Sequence, residues 1–147
     1  MKKKGSTAEF TAVRDRELYA NFIELLRTSD MPLRDMFGEA ARRPASRFWV
    51  SPERAAAVVV PMLRGRQTAL PGNAYEGRKR MFGEIAVRAL EAIENDPDLL
   101  PTHAVEQVIM QPAPEFYLSD WAARQIIYRH RRKLKLSKAL SAKIVKP

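Results

Sequence analysis

The sequence predicts an all-α protein of two tandem three-helix units. Three observations carry that prediction: apolar residues recur at three- and four-residue spacing, proline and glycine mostly fall between those runs, and one aromatic motif occurs twice. The expected organisation is a basic tail over 1–10, a first helical repeat over 11–66, a linker over 67–74, a second repeat over 75–134 and a basic tail over 135–147. The two repeats are expected to share or adjoin one core, because 147 residues suit one cooperative body better than two isolated ones.

In the first repeat, Leu18, Phe22, Leu25 and Leu26 mark a helix of roughly Arg14 to Arg27. A shorter one runs from Leu33 to Arg42, with Leu33, Phe37, Ala40 and Ala41 inward. Pro44 then stops the chain from continuing as helix, since proline lacks the amide hydrogen and restricts the residue before it. Ser51 suits the N-cap of a third helix, with Pro52 at its first position. Pro61 should kink or end that helix, which is apolar nearly all round and reads as buried between the units.

A turn or linker is expected over Gly65 to Asn73, around Pro71-Gly72. Asn73 with Glu76 three residues later reads as a capping box for the next helix, whose inner face holds Phe82, Ile85, Ala89, Ala92 and Ile93. A short helix over Thr102 to Gln111 follows, with Val105, Val108 and Ile109 inward, and Pro112 stops it. Ser119 and Asp120 suit the start of a last helix that runs at least to Arg132.

The repeat itself has an offset of 68 residues. Pro44-Ala45-Ser46-Arg47-Phe48-Trp49-Val50-Ser51 aligns without gaps on Pro112-Ala113-Pro114-Glu115-Phe116-Tyr117-Leu118-Ser119, and Ala55, Val58 and Val59 fall on Ala123, Ile126 and Ile127. Phe48, Trp49, Phe116 and Tyr117 read as core anchors, because adjacent aromatics beside a cap pack inward. With its Pro-Ala-x-x-Phe-aromatic-aliphatic-Ser motif occurring twice, the chain resembles small uncharacterised bacterial proteins of phage-like or mobile elements over residues 10–132. That resemblance implies a duplicated helical fold and a DNA-related role such as packaging or regulation, and transfers no functional residue.

Charge separates the copies. All 17 Asp and Glu lie in residues 1–120, whereas 121–147 hold nine of the 26 Lys and Arg and no acid, so the net charge of +9 arises there. A basic segment without acids attracts polyanions. At 100° per residue, Ala123, Ile126, Ile127, His130 and Leu134 form an apolar stripe on the last helix, while Arg124, Tyr128, Arg131, Arg132 and Lys135 face the other way. A third helix with a cationic outer face is helix-turn-helix-like, although the connection from Pro112 to Leu118 exceeds the short turn of the standard motif.

The nucleic-acid-binding residues expected are therefore Arg124, Tyr128, Arg131, Arg132, Lys133 and Lys135 on the helix, with Lys138 and Lys143 from the tail adding phosphate contacts. Double-stranded DNA is the expected partner ahead of RNA, and no small-molecule substrate is. The alternative is a non-enzymatic structural or adaptor module that engages an acidic protein or RNA through the basic tail. A homodimer is compatible with either. Contact with an anionic membrane surface is a lesser reading, from the mixing of Leu and Lys in the tail.

Catalysis finds little support, because the chain has no Cys, only two His (His103 and His130), and neither a phosphate-cradling glycine loop nor a dinucleotide fingerprint. No cofactor or metal is expected. With no apolar run after Lys2, Lys3 and Lys4 and none of membrane-spanning length, the cytoplasm is the expected compartment.

Overall fold

Proline brackets the long helices. The segments 4–28, 76–95 and 120–145 hold no proline, and each is a single helix. The computed structural model describes residues 4–66 and 75–145, with side chains described from Phe10 to Ser141 within those ranges. Among the described residues the fold is all-α. Its six helices are α1 (Lys4–Thr28), α2 (Leu33–Arg42), α3 (Pro52–Leu63), α4 (Glu76–Asn95), α5 (Pro101–Ile109) and α6 (Asp120–Val145).

Several expectations are corrected at the helix ends. α1 starts at Lys4, so the segment expected as a tail over 1–10 is helical from its fourth residue. α6 continues to Val145, so the basic segment from 135, open in the sequence between an extended helix and a tail, is helical as far as Val145. The α6 extension is rich in Lys, Leu and Ala, which have high helix propensity and propagate an existing helix. At α4 the N-cap is Tyr75, without a side-chain cap bond, and Glu76 is the first helical residue rather than the third; Asn73 lies outside the described residues. The rest of the expected linker, 67–74, does too. Leu33 and Leu26, expected inward, are 51% and 44% exposed.

The largest correction concerns which helices belong together. The chain divides into two compact units that are not the contiguous repeats 11–66 and 75–134: unit 1 is Met1–Arg43 with Leu118–Pro147, and unit 2 is Pro44–Tyr117. In unit 1, α1, α2 and α6 pack pairwise; in unit 2, α3, α4 and α5 do. Each third helix therefore completes the body begun by the other pair. In unit 1, α1 and α2 follow one another across a four-residue connection, whereas α6, the helix with the cationic face, comes from a distant part of the chain.

The inner faces explain how both pairings are satisfied. Ala123, Ile126 and Ile127 of α6 are buried in unit 1, and Ala55, Val58 and Val59 of α3 are buried in unit 2. Around α6, Phe22 stacks on Phe37 at 5.1 Å between ring centroids, and Asn21 donates to the Ala40 carbonyl at 3.3 Å. Ala40, Ala41 and the buried Gly38 keep α2 thin where it meets α6. A Cβ at Gly38 would run into the Asp120 carboxylate, which Arg42 holds at 3.3 Å.

Unit 2 is closed by both copies of the aromatic motif. Ala45 and Ala113 exchange reciprocal backbone hydrogen bonds of 2.9 Å, forming one antiparallel bridge, and the Phe48 amide donates to the Ile109 carbonyl at 3.0 Å. Phe48 is fully buried, Phe116 is buried, and Tyr117 stacks on Phe48 at 6.2 Å. Trp49 is half-buried beneath the Arg47 guanidinium. Tyr117 reaches its place with φ at +59°, the left-handed region that costs a side-chain-bearing residue about 1–2 kcal/mol. Burial pushes its phenol up to about 12. Pro61 lies within the last turn of α3, which ends two residues later at Leu63.

Candidate nucleic-acid interface

Serine caps start both third helices in the same way. The Ser51 hydroxyl accepts from the Arg54 amide at 3.1 Å and the Ser119 hydroxyl from the Ala122 amide at 3.0 Å. From Ser119, α6 sets its inner stripe against α1 and α2, and this fixes which side chains point outward.

The anchoring continues for one more turn beyond Ile127. His130 packs its ring against Tyr19 at 5.0 Å, and burial lowers its pKa against the opposing pull of Asp15. Asp15 is only 3% exposed and is held from two sides, by Arg14 at 2.9 Å and by Arg129 of α6 at 3.3 Å. Arg129 is thus occupied in fastening α6 to α1.

The residues expected to bind nucleic acid fall into two groups. Arg124 and Tyr128 are tied to the surface of unit 1: Tyr128 is half-buried with its ring 5.3 Å from Phe37, and the Arg124 guanidinium lies 5.6 Å from the Tyr128 ring centre and 5.8 Å from that of Phe37. Tyr128, expected to face outward, is thus partly covered by unit 1. Its ring serves as a shelf that sets the position of the exposed Arg124. Arg131, Arg132, Lys133, Lys135 and Lys138 form the second group. All are exposed, and none makes an ion pair with a carboxylate among the described residues. The side chain of Lys143 lies outside the described residues.

From Arg131 to Ser141 every residue is exposed, including Leu134, Leu136 and Leu140 at 40%, 62% and 52%. At 1.5 Å rise per residue this is a rod roughly 15 Å long. Its five described cations stand around a helix that carries no acid after Asp120, and Asp120 itself is paired with Arg42.

One outward residue escaped the sequence reading. Trp121, in the first turn of α6, is 72% exposed and lies on the same side as Arg124, Tyr128 and Arg132, three, seven and eleven residues later. The angular position that excludes it from the apolar stripe was available in the sequence.

Among the described residues no group of three or more His, Asp or Glu is placed to hold a metal ion, and no helix is long and apolar enough to cross a membrane. Comparison with protein-family models, with curated proteins and with solved structures found no match.

Proposed function

We propose that this protein binds nucleic acid through the outer face of α6. The observation that carries the proposal is the exposed, acid-free stretch Arg131 to Ser141 with its unpaired Arg131, Arg132, Lys133, Lys135 and Lys138. Like charges on one helix repel each other, so such a cluster lowers stability unless a polyanion neutralises it. Lys and Arg that neutralise phosphates release counterions, and the arginine fork also matches base edges and phosphate oxygens. Arg124, steadied on Phe37 and Tyr128, extends the same face towards the start of the helix.

The reading also takes the chain as an internal duplication. In its support, α2 and α5 begin at Leu33 and Pro101, and α3 and α6 at Pro52 and Asp120, both at the 68-residue offset of the motif, and the bridge pairs Ala45 with its counterpart Ala113. On this view the inner stripe has been kept while the outer face of the last helix has become cationic.

The exposed Leu134, Leu136 and Leu140 favour a second reading, an adaptor that docks an acidic protein along the end of α6. A chain ending at Arg132 separates the two. It keeps every buried residue of α6 and Arg124, Arg131 and Arg132, but loses the leucines and the remaining lysines. Fluorescence anisotropy against a labelled duplex, over a salt series, should show weakened but persistent binding with a shallower salt slope. Failure of the intact chain to bind duplex or single strands at low salt would refute the proposal and leave the adaptor.

A further inference from the structure

We infer that Trp121 is a base-stacking platform, so that α6 holds nucleic acid with unpaired bases more tightly than fully paired duplex of the same charge. The inference rests on the proposed nucleic-acid binding and names the ligand class that this face prefers. Single exposed apolar residues are ordinary on protein surfaces. Trp121 differs in its neighbours and in how it is held. Its side chain stands in water on the cationic side of α6, with Arg124 one turn away and Arg132 three turns away. The helix start that carries it is fixed by the Ser119 cap and by the Arg42–Asp120 ion pair. The adjacent Asp120 carboxylate is thereby partnered by a cation, which reduces its repulsion against a phosphate chain.

An exposed indole carried by a fixed helix start, at the end of a row of cations, is the combination that single-strand binding uses. The cations follow the backbone, and the ring offers a face to whichever base is unstacked. In a fully paired duplex each base face is already covered by its neighbours, so Trp121 gains nothing there without disrupting the stack. At the matching position of α3, 68 residues earlier, stands Glu53, an exposed carboxylate that would repel phosphate. The tryptophan is thus peculiar to the helix that carries the free cations.

The test uses the full chain and three substitutions, Trp121→Ala, Trp121→Phe and Trp49→Phe. The probes are a labelled mixed-sequence single strand and a hairpin duplex with the same number of phosphates. The expected result is tighter binding of the single strand by the native chain. Trp121→Ala should lower single-strand affinity about 5- to 140-fold, the loss of one stacked base, with the salt slope and the duplex affinity unchanged. Trp121→Phe should recover most of that loss. In the Trp49→Phe chain, where Trp121 is the remaining tryptophan, single strand should quench the fluorescence and duplex should not. Equal affinity for the two probes, a duplex preference, or a single-strand preference untouched by Trp121→Ala would each overturn the inference while leaving nucleic-acid binding intact. No binding of either probe by the native chain would overturn both.

Discussion

Unit 1 and unit 2 are three-helix bodies in which α6 and α3 are seated by similar residues, yet their surfaces differ in sign. Unit 1 holds 18 Lys and Arg against 8 Asp and Glu; unit 2 holds 8 against 9. The buried positions are nearly interchangeable, Ala55, Val58 and Val59 in one and Ala123, Ile126 and Ile127 in the other. The outward positions are not. Glu53, Ala56, Val60 and Leu63 of α3 stand where α6 has Trp121, Arg124, Tyr128 and Arg131. Length diverges as well, since α3 ends at Leu63 just after Pro61, whereas α6 meets no proline and runs to Val145. The difference teaches that packing constrains only the inner stripe of such a helix, and that the outer face and the length are free to take up another task.

Substitutions can break this comparison, and the largest effects lie in the cores. Phe48→Ala in unit 2 and Phe37→Ala in unit 1 each remove a buried ring and should cost about 3–5 kcal/mol. Native-state hydrogen exchange should show the first lowering protection in α3, α4 and α5, and the second in α1, α2 and α6. Protection lost from α3 in the Phe37 variant, with α6 unaffected, would mean that the third helices belong to the contiguous repeats after all.

A smaller effect is expected at Asp15, the buried carboxylate that fastens α6 to α1. Asp15→Asn keeps the shape but loses the charge facing Arg14 and Arg129, and denaturant titration should show unit 1 weakened by about 1–2 kcal/mol. Below that come the caps. Ser51→Ala and Ser119→Ala each remove one amide acceptor and should cost about 1 kcal/mol, alike in the two units because the two bonds are alike.

Much of this was legible in the sequence, for identifiable reasons. Repeated spacing located all six helices, the two serine caps marked the starts of α3 and α6, and Pro44 and Pro112 marked the ends of α2 and α5. The pairing of α3 with α4 and α5 was not legible, because residues of similar size line the inner stripes of α3 and α6, and a local pattern cannot distinguish two seats of the same shape. The start of α1 at Lys4 escaped because Lys4-Gly5-Ser6-Thr7 offers no apolar stripe to read, and the segment from Lys133 was left open between an extended helix and a tail. In the interface, counting charge found the cations. It could not tell the free Arg131 and Arg132 from Arg124, which rests on two rings. Trp121 was passed over because apolar character alone does not say which side of a helix a residue occupies.

The smallest effects concern pH, and they fall on opposite limbs. Burial favours neutral His130 in folded unit 1, so between its lowered pKa and the ordinary value near 6.5 the unfolded chain binds more protons. Stability is therefore complete above about 6.5 and declines as the pH falls below it, with a slope of a fraction of a proton that His130→Gln should abolish. Tyr117 acts in unit 2 at the other extreme. With its phenol near 12 and an unfolded value near 10, it stabilises the fold below pH 10 and ceases to as the pH rises towards 12, which absorbance titration of Tyr117→Phe against the native chain would reveal.

The central claim, that unit 1 binds nucleic acid through α6, is tested most directly by matched charge reversal. Arg124, Arg131 and Arg132 are changed to Glu in one variant, and the exposed Arg54, Arg64 and Arg66 of unit 2 in another, and both are titrated against labelled duplex and single strands over a salt series with helicity checked by circular dichroism. The account predicts an affinity loss of at least about 100-fold for the first and less than about threefold for the second, with a shallower salt slope only in the first. Equal losses in the two, or native affinity after reversal on α6, would contradict it.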